Sequence, residues 1–363
     1  MILRTVAASA ILAMVCRLAG AAGLSFLGAE GFGSDATGGL GGSVYHVTNL
    51  NDSGTGSLRD AVSQPKRIVL FDVSGTIRLK SVLPVSSDIT IAGLSAPGDG
   101  IGTYGAEVSF SHSKNVIVRY IRFRQGTVTA GEERKSAVNI LGGADMIFDH
   151  VSIEWGRWDC LDMNLCDRMT FQYCMIGQGV RPQQFGCLCQ SDHVTFTHNL
   201  WIDNKSRNPK AKGTVQYINN VVYNFGGGGG YIAGHSGADH YADLVGNYFI
   251  AGPAGGHSPV AQGKPTDKIY SRDNWIDLNA DGKLDGRPMT DADLSEETVQ
   301  PTPYFPLDLT IDPAAVAFEK VVAGAGCSLH RDAIDRELIE QVKSLGSEGE
   351  IIANESEITA AQP

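Results

Sequence analysis

Along the middle of the chain, apolar and polar residues alternate in short runs, and the runs resemble one another. Seven can be superposed: NVIVRYIRF (115–123), MIFDHVSI (146–153), MTFQYCMI (169–176), VTFTHNLW (194–201), VQYINNVVY (215–223), ADLVGNYF (242–249) and KIYSRDNWI (268–276). Each has an alternating stretch, a polar or small residue, and a second apolar group. The residue opening the second group is Ile121, Val151, Cys174, Asn199, Asn220, Asn247 and Asn274, at intervals of 30, 23, 25, 21, 27 and 27. A period of two specifies strands, and a repeat in the twenties without intervening helical periodicity specifies a solenoid. The predicted fold class is all-β: a single-stranded right-handed parallel β-helix with short capping helices, neighbouring coils lying about 4.8 Å apart. Asparagine at one register in four successive coils suits a corner where the turning backbone leaves polar groups to be bonded along the stack.

Open solenoid ends need covering. Ser57–Ser63 predicts a short helix with Ser57 as N-cap, a lid for the first coil. For the other end, Pro313–Val322 after Asp312 predicts one helix, and Arg331–Leu345 predicts a second with Ile334, Leu338, Ile339 and Val342 on one face. The expected organisation is a signal peptide over 1–22, a β-helix over 23–310, a helical cap over 311–345, and a frayed polar tail over 346–363.

Composition narrows the setting. The 363 residues are 42% hydrophobic, enough for a large core, and the 44 glycines are spread through the chain as a turn-rich fold requires. A net charge of -11 argues against nucleic acid as a partner but leaves a polyanion open if positive charge is local. Residues 1–22 pair an early Arg4 with an apolar run and end in Ala-Gly-Ala-Ala, a secretory signal too short to span a bilayer. The mature chain is expected to be secreted, free of membrane, and monomeric. Beyond Cys16, six cysteines remain (Cys160, Cys166, Cys174, Cys187, Cys189 and Cys327), which in an exported protein favours disulfides of unassigned pairing; no spacing supports zinc.

The local positive charge is in VTFTHNLWIDNKSRNPKAKG (194–213), where Lys205, Arg207, Lys210 and Lys212 follow a repeat strand. Counting seven or eight residues on from the register residue gives Asp159, Arg181, Arg207 and Gly228 in four successive coils. Equal offsets stack on one flank, so these form a charged column beside the glycine run 226–230. The glycines read equally as a cleft kept open or as a flexible turn. His150, His193 and His198 are expected to be buried and bonded, whereas His235 and His257 follow glycine-rich turns near the column. Asp277-Leu-Asn279-Ala-Asp281-Gly282 repeats the opening of an EF-hand loop, with Pro288 at the twelfth position where glutamate belongs; it reads as a structural calcium turn or a plain Asx-rich turn.

Together, GFGSDATGG (31–39), VYHVTNLNDSGTGSLRDAV (44–62), IFDHVSIEWG (147–156), SRNPKAKG, INNVVYN (218–224) and CSLHRDAIDRELI (327–339) resemble the pectate lyases, over roughly 28–345. The opening glycines resemble a dinucleotide loop, but no βαβ unit surrounds them. The resemblance implies β-elimination on polygalacturonate, an anionic plant cell-wall polysaccharide. It places the catalytic arginine of an RxPxx(R/K) motif at Arg207, which takes the proton from C5 or acts as an electrostatic clamp. It also makes Lys212 a substrate-binding cation, with Arg181, Lys205 and Lys210 beside it and Trp158 as a stacking or packed ring. It implies calcium at the cleft, with Asp159 and then Asp162 as candidate ligands. The chain departs from the family pattern at Ser136-Ala137 and at Trp158–Asp162, so two alternatives stand: a calcium-independent lyase on methyl-esterified pectin or another uronan, and a non-catalytic polysaccharide-binding β-helix. The intact Arg207-x-Pro209-x-x-Lys212 favours the enzyme.

Overall fold

The alternating segments form the strands of a parallel β-solenoid of about nine turns in a computed structural model that describes residues 23–234 and 239–358. One sheet runs from Ser43–Val47 to Thr298–Val299. A second, of ten strands, runs from Gly75–Arg78 to Arg287–Pro288. Every pairing is parallel except the last, Trp275–Asp277 with Arg287–Pro288. Three strands, Asp159–Gln172, Phe185–Thr197 and Lys210–Ile218, are long enough to cover two faces. Their first halves pair with Val138–Leu141 on one side and Tyr231–Ala233 on the other, building a third face.

The corners explain the repeat. The residue before each register position, Tyr120, His150, Tyr173, His198, Asn219, Gly246 or Asp273, has φ between 49° and 65°. Such left-handed backbone is uncommon outside glycine and turns the chain sharply. The asparagines then do what their register predicts. Asn199 Oδ1 accepts from Cys174 N at 2.7 Å, Asn220 Oδ1 from Asn199 N at 3.1 Å, Asn247 Oδ1 from Asn220 N at 2.8 Å, and Asn274 Oδ1 from Asn247 N at 3.0 Å. Inside, Phe148, Phe171 and Phe196 stack at 4.6 and 5.5 Å. Outside the corner, Tyr120, His150, Tyr173 and His198 stack at 4.6, 5.0 and 4.9 Å. His150 and His193 are half-buried and bonded to Asp149 and Asp167, and His198, buried, bonds Asp312.

Helix α1 (Leu58–Ala61) has Ser57 as N-cap and inserts Leu58 and Ala61 into the first coil. Helices α2 (Ala314–Gly324) and α3 (Ala333–Lys343) depart from expectation. They lie along the flank of the solenoid, not over its end. Outward-facing Leu200, Ile202, Val221, Tyr223 and Ile250 of the ten-stranded sheet form an apolar strip, which Val321, Leu338, Ile339 and Val342 cover. Leu278, Met289 and Leu294, in the segment after the last full coil, pack on the core's far end instead.

Two further expectations are corrected. The six described cysteines form no disulfides; all are free and buried. Cys160 Sγ donates to Gly177 O at 3.1 Å, and Cys166 Sγ to Ile140 O at 3.2 Å, so the thiols serve as small core residues. The tail through residue 358 is not frayed: Ile352 and Ile358 are buried, and Glu355 accepts from Tyr104 Oη at 2.8 Å and Thr127 N at 2.7 Å. Its sparse apolar residues find a pocket with Trp155, Val180 and Ile334. The GFGSDATGG segment lies against the outer face of the long sheet, where a Cβ on Gly33 would sit 2.0 Å from Met146 O. Residues 1–22, His235 and 359–363 lie outside the described residues. Among the described residues no helix is long and apolar enough to cross a membrane.

Candidate active site

The third face carries the charged column. Arg207 stands at a turn with φ 64°, immediately before Asn208-Pro209. The turn is held from several sides: Asn204 Nδ2 donates to Asn208 Oδ1 at 2.9 Å, Asn208 N to Gly230 O at 3.0 Å, and Tyr217 Oη to Asn208 O at 2.9 Å. Cys187 N donates to Arg207 O at 2.7 Å, and glycine at 186 is required because a Cβ would meet that oxygen at 2.4 Å.

From this turn the Arg207 side chain passes over a whole coil. Its guanidinium carbon lies 4.2 Å from the centre of the Phe185 ring, and Nη1 donates to both Asp159 oxygens at 3.1 and 3.0 Å. Asp159 is wholly buried, while the Arg207 side chain is 19% exposed. Burial pushes the Asp159 carboxyl up to about 7, and Asp162 adds to the rise while Arg207 opposes it. The ion pair therefore forms fully only when Asp159 gives up its proton. Below it on the same face, Lys210 is half-buried, and burial, Arg207 and Lys212 lower its pKa. Lys212 Nζ donates to Gln190 Oε1 at 3.2 Å, Gln190 Nε2 to Asn164 Oδ1 at 2.8 Å, and Asn164 Nδ2 to Asp162 Oδ1. This polar chain crosses three coils.

A cavity of about 730 Å³ lies beside the pair, lined by Glu133, Arg157, Arg181, Pro182, Gln184 and Lys205. Arg157 and Lys205 each precede a member of the Asp159–Arg207 pair by two residues. Arg181 and Lys205 are exposed, and Arg157 is half-buried with Nη2 3.4 Å from Glu133. The tail borders this region: Arg181 N donates to Ala353 O at 3.0 Å, and Gln184 Nε2 to Ile352 O at 2.7 Å.

Arg207, Asp159, Lys210 and Lys212 thus share one face, and Arg181 and Lys205 share the adjoining cavity. Trp158 is half-buried and does not line that cavity. His257 is exposed and equally outside it. Arg157, Phe185 and Glu133 are absent from the sequence-based set. The register could have found Arg157: six positions after Val151 is Arg157, as six after Asn199 is Lys205.

The donor set does not fit a cleft calcium. Both oxygens of Asp159 accept from Arg207, Asp162 is bonded to Asn164, and Ser136 Oγ accepts from Asp159 N at 3.4 Å. Among the described residues no three His, Cys, Asp or Glu side chains converge. Calcium needs six to eight oxygens free to ligate. The other candidate loop, Asp277 to Asp281, lies in the last coil away from this face, with Asp281 bonded to Lys283.

No protein-family model matches the chain. It is 46% identical over 339 residues to a probable pectate lyase C of Aspergillus fumigatus, covering 92% of this chain and 80% of that one. A probable pectate lyase C of Aspergillus flavus is 44% identical over 351 residues, covering 93% and 81%. Among solved structures, a thermostable pectate lyase superposes with a TM-score of 0.64 at 16% identity, covering 84% of this chain and 98% of its own. The cedar pollen allergen jun a 1 superposes with 0.61 at 17% identity, covering 82% and 92%. A pectate lyase from Bacillus sp. N165, crystallised with trigalacturonate, superposes with 0.57 at 17% identity, covering 83% and 99%.

Proposed function

This chain belongs to the pectate lyase family, and we propose that it cleaves polygalacturonate by β-elimination on the face carrying Arg207. The observation that carries the reading is the placement of Arg207, locked into a bonded turn and held by the buried Asp159 through Nη1 alone. The remainder of the guanidinium is left for a substrate. Elimination removes the C5 proton, forms the C4–C5 double bond, and releases the C4 oxygen with a proton. Negative charge grows beside the sugar carboxylate as the C5–H bond breaks, and a fixed guanidinium stabilises it without reorganising. Both uses of Arg207, as base and as anion clamp, require it at this position.

Arg157, Arg181, Lys205, Lys210 and Lys212 would neutralise the carboxylates of an extended galacturonan, which suits an acidic polymer in a protein of net charge -11. Calcium is given no step, because Asp159 and Asp162 are engaged by protein donors. Export would follow from the signal-like residues 1–22.

The test is ultraviolet absorbance of the unsaturated product on polygalacturonate, with added calcium and with chelator. The wild-type chain is expected to produce it and Arg207→Ala to produce none while keeping the wild-type circular dichroism. Product formation by Arg207→Ala would overturn the assignment, and loss of all product under chelator would restore a metal to the cleft.

A further inference from the structure

We propose that Glu133 is a specificity-determining residue: a resident carboxylate that holds Arg157 in place of a substrate carboxylate and is displaced when galacturonan enters the cavity. The inference rests on the reading of this face as the polygalacturonate site. The cavity is lined by three cations, Arg157, Arg181 and Lys205, and by one anion, Glu133. Arg157 is the most enclosed of the cations, its side chain 12% exposed against 54% for Glu133. Its Nε is buried with no hydrogen-bond partner, and Nη1 donates to Thr129 O at 3.3 Å. A guanidinium with unmet donors favours an anion. The one at hand is Glu133 Oε1, 3.4 Å from Nη2. Tightly paired arginines in this molecule lie closer to their carboxylates, at 2.7 Å for Arg124 with Asp335 and for Arg119 with Asp149. The Glu133 contact is looser and faces solvent, so it contributes little and exchanges readily.

The loop that carries Glu133 is anchored on either side of it. Glu132 is buried, and its Oε2 accepts from Glu107 N at 3.4 Å. Buried Gln125 links this loop to Arg157: Nε2 donates to Glu132 O at 3.0 Å, and Oε1 accepts from Arg157 N at 2.8 Å. The two backbones are thus fixed relative to each other, and only the exposed Glu133 side chain has to swing. Glu133's own amide, the Gly131 amide at 3.3 Å and then Arg157 hold its carboxyl below the ordinary value. It is therefore charged wherever polygalacturonate is charged. An arriving carboxylate competes with Glu133 for Arg157 and is repelled by it, whereas a methyl ester neither gains the cation nor meets the repulsion. Glu133 accordingly reduces the preference of the cavity for the de-esterified polymer.

The test is binding to the full chain carrying Arg207→Ala, titrated at low salt with polygalacturonate and with its highly methyl-esterified form. Adding Glu133→Gln should tighten polygalacturonate binding roughly 3–10-fold and Glu133→Lys should tighten it further, while binding of the esterified polymer moves less than about twofold. At about 0.5 M salt the gain should shrink toward none. In the chain that keeps Arg207, Glu133→Gln should lower KM on polygalacturonate by a similar factor, with a smaller change in kcat. Equal or weaker polygalacturonate binding by Glu133→Gln, or an equal gain on the esterified polymer, would overturn the proposal and leave Glu133 as a brace for Arg157. Binding and elimination are read separately. A chain that binds polygalacturonate as expected but yields no unsaturated product would sink the lyase reading and leave the role of Glu133 standing.

Discussion

Replacing Asp159 by asparagine should weaken catalysis and strengthen the fold together, with opposite pH dependences. Asp159 is wholly buried, and its carboxyl lies at about 7 instead of 3.8, chiefly through burial. That rise corresponds to a cost on the order of 4 kcal/mol for holding the charged form in the native state. The native protein binds this proton more tightly than the unfolded chain does. Its contribution to stability is therefore fully present below about 4 and is lost as pH rises to about 7. Asp159→Asn removes the group, so the variant should lack that downward slope and be the more stable form above pH 7. Catalysis should move the other way. Arg207 Nη1 loses a charged partner bonded at 3.0 and 3.1 Å, worth about 1.5–3 kcal/mol, or roughly 10–150-fold in kcat/KM. The wild-type kcat/KM should climb through pH 7 as the pair ionises, and the variant's should lose that limb. The assay is product absorbance on polygalacturonate from pH 5 to 9, with urea unfolding over the same range. A variant that keeps the wild-type rate and the wild-type rise through pH 7 would refute the idea that Asp159 holds Arg207.

Other consequences follow from the same geometry. Arg157→Ala and Lys205→Ala, on the cavity wall, should raise KM about 3–30-fold each with a smaller effect on kcat, and flatten its salt dependence; unchanged KM in both would remove the cavity from the substrate path. Asn220→Ala breaks the ladder between Asn199 and Asn247 and leaves buried groups unpaired, so it should cost about 1–3 kcal/mol in urea unfolding. The six described cysteines should resist a thiol reagent in the native state and all react once the chain is unfolded, without prior reduction; if reduction is needed, a disulfide is present after all.

Periodic and local features were legible before any coordinates. Alternation set the strands, the asparagine register set the corners, and Ser57 marked the first helix, because each depends on neighbours in sequence or on a repeat that translation preserves. Equal offsets likewise brought Asp159 and Arg207 to one face, with Arg181 in the cavity beside it. What the tertiary structure decided is where side chains of different coils point and what they meet. Arg207 reaches over Phe185 to bind Asp159, turning an apparent calcium ligand into an ion-pair partner. The helices cover a flank because the outward residues of the ten-stranded sheet are apolar, a property of the assembled face and invisible within any one strand. The thiols stay free because the packed core buries all six apart from one another, with Cys160 and Cys166 turned to backbone carbonyls, whatever the clustering of cysteines in sequence. Arg157's place beside the column was open to the register, but its ion pair with Glu133 was not: the two lie in different coils, and only the stacking of coils brings them within reach.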